Sequence, residues 1–261
     1  MLSTNFMPGV PNWVDLGTPD VDAAAAFYGP VFGWEFQSAG PDAGGYGMFT
    51  LSGKTVGAVG PLGEPGTAPS WTLYFNTADA NATADAVTRA GGSVLAAPMD
   101  VFTAGRMAQF SDPTGATFAV WQPGDTKGLD AVTDQNTLCW TELHTSDPAR
   151  AKEFYQSVFG WNTQDMPMGD FTYTVVTPAG GGGEETSQGG IMGLVPEMAA
   201  GGSRWLPYFE VADPDAVVAT ATERGGTVIA PAMDIEGVGR MAAFVDPAGA
   251  PFSVIKSVPS S

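Results

Sequence analysis

The chain has one cysteine and one histidine in 261 residues. The single thiol, Cys139, excludes an internal disulfide and a thiolate metal cage. The single imidazole, His144, cannot make a metal site without other ligands. Basic side chains are also scarce: 10 Lys and Arg stand against 28 Asp and Glu, a formal charge of −18. A surface this acidic repels phosphate backbones and anionic lipid, so neither nucleic acid nor a membrane is expected as a partner. No apolar run approaches the roughly 20 residues a membrane span needs. The opening MLSTNFMPGVPNW has neither a basic n-region nor an apolar h-region, so no signal peptide and a cytoplasmic location are expected.

What is present is globular. Hydrophobic residues make up 44%, and 35 Gly with 21 Pro imply many turns. The length suits one large domain or two of ordinary size.

The chain repeats itself. Trp13 laid on Trp140 gives an offset of 127 (140 − 13), and WVDLGTPDVDAAAAFYGPVFGW (13–34) then covers WTELHTSDPARAKEFYQSVFGW (140–161). Trp71 matches Trp205 at an offset of 134 (205 − 71), so the second copy carries seven extra residues (134 − 127). They are placed in PAGGGGEETSQGG, 178–190, which has a loop composition. The match resumes with 90–120 on 224–254, and chance does not produce this. The expected boundaries are 8–122 for a first domain, 123–136 for a turn-rich linker and 137–258 for a second.

Each copy divides again. A strand-like run (Trp13 to Gly17, Trp71 to Asn76) precedes an Asp-opened helix (Asp20 to Phe32, Ala78 to Ala90), and short alternating runs follow. In the first helix Ala24, Phe27, Tyr28 and Val31 share a stripe. The second stops at Gly91-Gly92. Four βαβββ-like units result.

This pattern resembles the vicinal oxygen chelate superfamily of glyoxalase I, bleomycin-resistance proteins and extradiol dioxygenases. The carriers are the strand–Asp–helix–FY–x–x–V–F–G–W opening (13–34, 140–161), the strands at 72–79 and 206–213, and the closing D–P–x–G (112–115, 246–249). More narrowly, the chain looks like tandem glyoxalase-like proteins labelled hydroxylases, some of which accompany aromatic-polyketide pathways. The resemblance implies an α+β fold. It implies two tandem glyoxalase-like domains, with four βαβββ modules forming curved mixed sheets around two clefts. One chain supplies all four modules, which is compatible with a monomer.

The resemblance also implies metal-ligand positions. A His or Gln belongs seven residues before the helix-opening Asp, where this chain has Trp13 and Trp140. The next ligand position holds Thr72 and Leu206. The expected Glu falls on Ala119 and Ser253. The fourth strands, TVGAVG (55–60) and GIMGL (190–194), offer no acid or imidazole. Metals bind lone pairs, which indole, isobutyl and methyl groups lack. No metal and no other cofactor is expected.

Strand alternation sorts the remaining residues. Val14, Leu16, Leu73, Phe75, Ala108, Phe110, Phe118 and Val120 should face the helices. The opposite face then carries Trp13, Asp15, Thr72, Tyr74, Asn76, Met107 and Trp121 in the first copy. In the second it carries Trp140, Glu142, His144, Tyr208, Glu210 and Met241. Aromatic rings and Met beside a few polar groups suit a planar organic ligand, with Asp15, Glu142 or Asn76 orienting it. Trp13, Trp140, Tyr74 and Tyr208 either line such a site or fill an unused cavity as core. Trp34 and Trp161 read as packing, and Trp71 and Trp205 as core or rim. Glu142 and His144 lie side by side on one strand and form the candidate proton-transfer pair; the alternative for His144 is a structural or rim role. Asp100 with Arg106, and Asp234 with Arg240, are positioned to pair across a turn; the alternative for each Arg is binding an acidic ligand from the rim. Cys139 reads as a buried thiol, and 180–183 lacks the GK[ST] of a phosphate loop.

These features support metal-independent binding of a hydrophobic or aromatic small molecule, accessory to secondary-metabolite tailoring. The alternatives are a metal-free hydroxylase or isomerase/lyase on such a molecule and, further off, a metal-dependent glyoxalase or dioxygenase.

Overall fold

The structure, a computed structural model, describes residues 1–63, 66–169, 171–181, 184–194 and 201–258. Two of the residues expected in the inserted loop, 182 and 183, lie outside them.

In the first copy, strand β1 (Pro11–Thr18) leads into helix α1 (Val21–Phe32), then β2 (Glu35–Ser38), β3 (Gly47–Leu51) and β4 (Lys54–Pro61). The second module is β5 (Ser70–Asn76), α2 (Ala80–Arg89), β6 (Ser93–Val101), β7 (Gly105–Ser111) and β8 (Thr117–Pro123). The second copy repeats this order. Its first module is β9 (Leu138–Thr145), α3 (Pro148–Phe159), β10 (Asn162–Met168), β11 (Phe171–Thr177) and β12 (Gly189–Gly193). Its second is β13 (Arg204–Glu210), α4 (Pro214–Glu223), β14 (Thr227–Ile235), β15 (Gly239–Val245) and β16 (Pro251–Ser257).

Two eight-stranded mixed sheets result, ordered β2-β3-β4-β1-β5-β8-β7-β6 and β10-β11-β12-β9-β13-β16-β15-β14. The fold is α+β, with the βαβββ module present four times, as the resemblance implies. The edge strands β2 and β6 escape sequence reading because most of their side chains are exposed, so they show no buried alternation.

The register relocates part of the insertion. Asp15 pairs with Ala58 and its counterpart Glu142 with Gly190. The offset has therefore reached 132 (190 − 58), so five of the extra residues lie before Gly190 and two after it, in the connection to β13.

Local chemistry explains the helices. Asp20, Asp79, Asp147 and Asp213 are N-caps whose side chains accept backbone N–H bonds from the first turn. Gly33 and Gly160 end α1 and α3 in the left-handed conformation, where a Cβ would be strained. The eight residues expected to face the helices are all buried to within 1% of full.

By compactness the chain divides into two units. The first is Met1–Trp13, Thr72–Gly128 and Trp140–Leu206; the second is Val14–Trp71, Leu129–Cys139 and Pro207–Ser261. Each unit thus takes one module from each copy. In the first, α2 packs on α3, and Phe75, Phe118, Phe159, Trp161 and Trp205 gather in an aromatic core with Tyr155. In the second, α1 packs on α4, and Phe32, Trp34, Trp71 and Phe252 surround Tyr28.

Both cores contain the same relay. Trp205 Nε1 donates to the Tyr155 hydroxyl at 2.8 Å, which donates to Asp112 Oδ2 at 3.1 Å. Trp71 Nε1 donates to the Tyr28 hydroxyl at 3.1 Å, which donates to Asp246 Oδ2 at 3.0 Å. Oδ1 of each Asp accepts backbone N–H groups of its own D–P–x–G turn. These buried carboxylates are therefore well paired. Burial, reinforced by the neighbouring carboxylate, pushes both tyrosines well above their ordinary range. The packing role read for Trp34 and Trp161 also includes a tie: their indoles donate to the Asn136 and Gly9 carbonyls, both at 2.8 Å.

Candidate functional site

Strand β9 puts Trp140, Glu142 and His144 on one face, opposite Thr141 and Leu143. Glu142 Oε1 lies 2.7 Å from His144 Nε2. The Tyr173 hydroxyl, from β11, donates to Glu142 Oε2 at 2.8 Å. Trp140 Nε1 donates to the Tyr173 oxygen at 2.9 Å. Gly190 makes room for this arrangement, because a Cβ there would overlap the Tyr173 hydroxyl.

The donor inventory sets the direction of the chain. An indole N–H can only donate, so the Tyr173 oxygen accepts from it and gives its own proton to Glu142. Ionised Glu142 accepts at both oxygens, so the proton between it and the imidazole belongs to Nε2. A neutral ring with its proton on Nε2 carries a bare lone pair on Nδ1. That atom is buried and has no hydrogen-bond partner among the described residues. His144 is 3% exposed and Glu142 7%, whereas Trp140 and Tyr173 are half-buried.

The first copy holds the same pair without the imidazole. The Tyr46 hydroxyl donates to Asp15 Oδ2 at 3.0 Å, and Gly17 stands where the second copy has His144. Sequence reasoning picked out Glu142, His144 and Asp15 but missed Tyr46 and Tyr173. The available signal was the offset of 127, which maps one tyrosine onto the other.

A family model described as the glyoxalase/bleomycin resistance protein/dioxygenase superfamily matches residues 10–120, and a bleomycin resistance protein-like N-terminal model matches 137–177. A Mycobacterium bovis protein designated a glyoxylase, CFP32, is 40% identical over 98% of both chains. The chain belongs to the glyoxalase/bleomycin resistance protein/dioxygenase superfamily. The anthracycline biosynthesis protein DnrV of Streptomyces peucetius is 39% identical, covering 97% of this chain and 95% of that one. Solved structures carry the same fold. The trihydroxybiphenyl dioxygenase of Sphingomonas wittichii strain RW1 aligns with a TM-score of 0.66 at 14% identity, covering 96% of this chain and 91% of that one. The Mn(II)-bound glyoxalase of Novosphingobium aromaticivorans aligns with a TM-score of 0.59 at 19% identity, covering 97% and 85%.

The donor set of this glyoxalase-superfamily chain does not fit the metal that its fold family implies. Trp13 and Trp140 stand where the resemblance puts the leading ligands, and their indoles offer no lone pair for a metal. The Trp140 N–H is in addition committed to Tyr173. At the other implied positions, Ala119 and Leu206 offer no donor atom, and Thr72 and Ser253 offer only a hydroxyl, which is poorly suited to a divalent metal. Among the described residues, no three His, Cys, Asp or Glu side chains cluster as a metal site would require.

Trp13, 7% exposed, stacks on Trp121 with ring centroids 6.5 Å apart and planes 22° from parallel. Met107 lies across from Trp121, whose Nε1 is bound to the Thr126 carbonyl at 2.9 Å. Tyr74 is buried opposite Ala119, and Thr72 is half-buried on the same strand. Asn76 is committed elsewhere: its amide donates to the Phe6 carbonyl at 2.8 Å and accepts from Asn12 at 3.1 Å, tying down the N-terminal segment.

In the second unit both oxygens of Glu210 are taken by the N–H and hydroxyl of Ser257. The polar atoms of Asn76 and Glu210 thus hold the chain together. Tyr208 is buried, its carbonyl accepting from the Cys139 thiol at 3.3 Å, and Met241 lies half-buried across from Ile255. Burial, with Glu210 nearby, pushes that thiol well above its usual range. Arg106 meets Asp100 at 2.7 Å, and Arg240 meets Asp234 at 2.9 Å, across their hairpins as expected.

Proposed function

We propose that the protein binds a hydrophobic or aromatic small molecule without a metal ion and serves secondary-metabolite tailoring. The reading rests on the indoles of Trp13 and Trp140, which stand in both copies where the resemblance puts a metal ligand. The two indoles differ in state. Trp13 is buried against Trp121, whereas Trp140 stays half-buried at the end of a hydrogen-bonded chain. The Trp140 face of β9 is therefore the better candidate for a planar guest, which stacks on the indole while buried polar groups fix its orientation. The tailoring context is supported by whole-length likeness to proteins named for anthracycline biosynthesis.

Titration with a panel of aromatic metabolites, read by tryptophan fluorescence, tests the reading. Saturable quenching by at least one member, weakened by Trp140→Ala, is expected. No quenching by any member overturns it.

A further inference from the structure

Glu142 and His144 have a geometry that simple binding leaves unused. An oriented carboxylate on one ring nitrogen and a free lone pair on the other are what a histidine base requires. Here the orientation is enforced from a distance. The Trp140 indole directs the Tyr173 proton onto Glu142, and Glu142 holds the Nε2 proton of His144. Nδ1 is left buried and without a partner among the described residues. A native buried polar atom is usually satisfied, so an orphan acceptor beside an oriented carboxylate marks the place for a donor from outside the protein. The first copy supplies an internal contrast, since Tyr46 and Asp15 keep the tyrosine–carboxylate bond while Gly17 removes the ring.

We infer that His144 Nδ1 accepts the proton of a hydroxylated aromatic ligand, with Glu142 and Tyr173 as its positioning residues. The inference rests on the aromatic-ligand reading above and narrows it to phenols. In the step, the phenolic O–H bond breaks and its electron pair stays on the oxygen. The proton forms the Nδ1–H bond, and the resulting imidazolium is paired with the Glu142 carboxylate. No oxidant, reductant or further reactant is consumed. The product is a bound phenolate, the electron-rich form of the ring and the one more reactive toward electrophiles.

The probe is 2-hydroxyanthraquinone, whose phenolate absorbs at longer wavelength than the phenol; anthraquinone itself is the control without a proton to give. Binding is followed by tryptophan fluorescence and ionisation by the visible spectrum, at a fixed pH just below that at which the free probe ionises. The wild type should bind both compounds and shift the hydroxylated one to its phenolate spectrum, with ionisation favoured roughly tenfold over the free probe. His144→Gln keeps a donor toward Glu142, and His144→Gly copies the first-copy residue. Both should lose the spectral shift, read at probe concentrations raised until quenching saturates. Glu142→Gln should reduce the shift. Quenching without a shift in the wild type overturns the inference and leaves the binding reading standing. A shift that survives both His144 variants overturns it as well. Absence of quenching overturns both.

Discussion

The Tyr155 hydroxyl donates to Asp112 Oδ2 at 3.1 Å, joining a helix of the second sequence copy to the closing turn of the first. Tyr28 and Asp246 make the reciprocal bond at 3.0 Å, from the first copy to the second. The FY and DPxG motifs are thus two ends of one buried device, used once in each compact unit.

Removing the hydroxyl should show its worth. Tyr155→Phe leaves a buried carboxylate oxygen and the Trp205 N–H each short of a partner. The expected loss is about 2–4 kcal/mol of unfolding free energy, measured by denaturant titration. Tyr28→Phe should behave alike through Asp246 and Trp71. A loss within experimental error in both would sink the relay as a stabilising element.

The same tyrosines set an alkaline limit. In the folded state both stay protonated well above the ordinary value of 10.0. Their folded pKa is raised, so the stability they contribute is complete below pH 10 and falls as the unfolded chain begins to ionise. Unfolding free energy should therefore drop as the pH rises past about 10. The drop should be shallower in the Tyr28→Phe, Tyr155→Phe double variant; equal slopes would contradict the assignment.

Gly190 is predicted to be intolerant of any side chain. Gly190→Ala places a methyl on the Tyr173 hydroxyl, so it should cost about 1–3 kcal/mol of stability. It should also reduce the phenolate shift of a bound hydroxyanthraquinone, because Tyr173 leaves Glu142. A variant with wild-type stability and spectrum would show that Tyr173 does not position Glu142.

The two leading tryptophans should separate in a mutational test. Trp13→Ala empties a buried stacked position and should cost about 3–5 kcal/mol of stability. Trp140→Ala, half-buried, should cost less stability and weaken ligand binding more. Comparison of thermal melts with fluorescence titrations checks this, and the reverse order would move the site to the first copy.

Much of the fold is legible in the sequence. The offset of 127 lays FYGPVFGW on FYQSVFGW, the four capping aspartates mark the helix starts, and strand alternation assigns the eight helix-facing residues to the core. The pairing of modules is not legible. Both copies carry the same FY and DPxG motifs, so Tyr155 matches Asp246 chemically as well as it matches Asp112. Only the packed structure selects the partner. The site is half legible for a related reason. Neighbours on one strand, Glu142 and His144, follow from alternation. Tyr173 reaches Glu142 only through the β11–β12 register, where Thr174 pairs with Ile191 and Gly190 leaves a gap. The commitments of Asn76 and Glu210 depend on distant loop and strand ends, Phe6 and Ser257, that no local pattern announces.

The proposed site binds an aromatic molecule without the metal that the fold family implies. Elemental analysis of the purified protein, paired with aromatic-ligand titration before and after exhaustive chelation, tests this most directly. The predicted result is substoichiometric metal and a binding curve unchanged by chelation. One tightly held metal ion per chain, with binding lost on its removal and restored on its return, would contradict it.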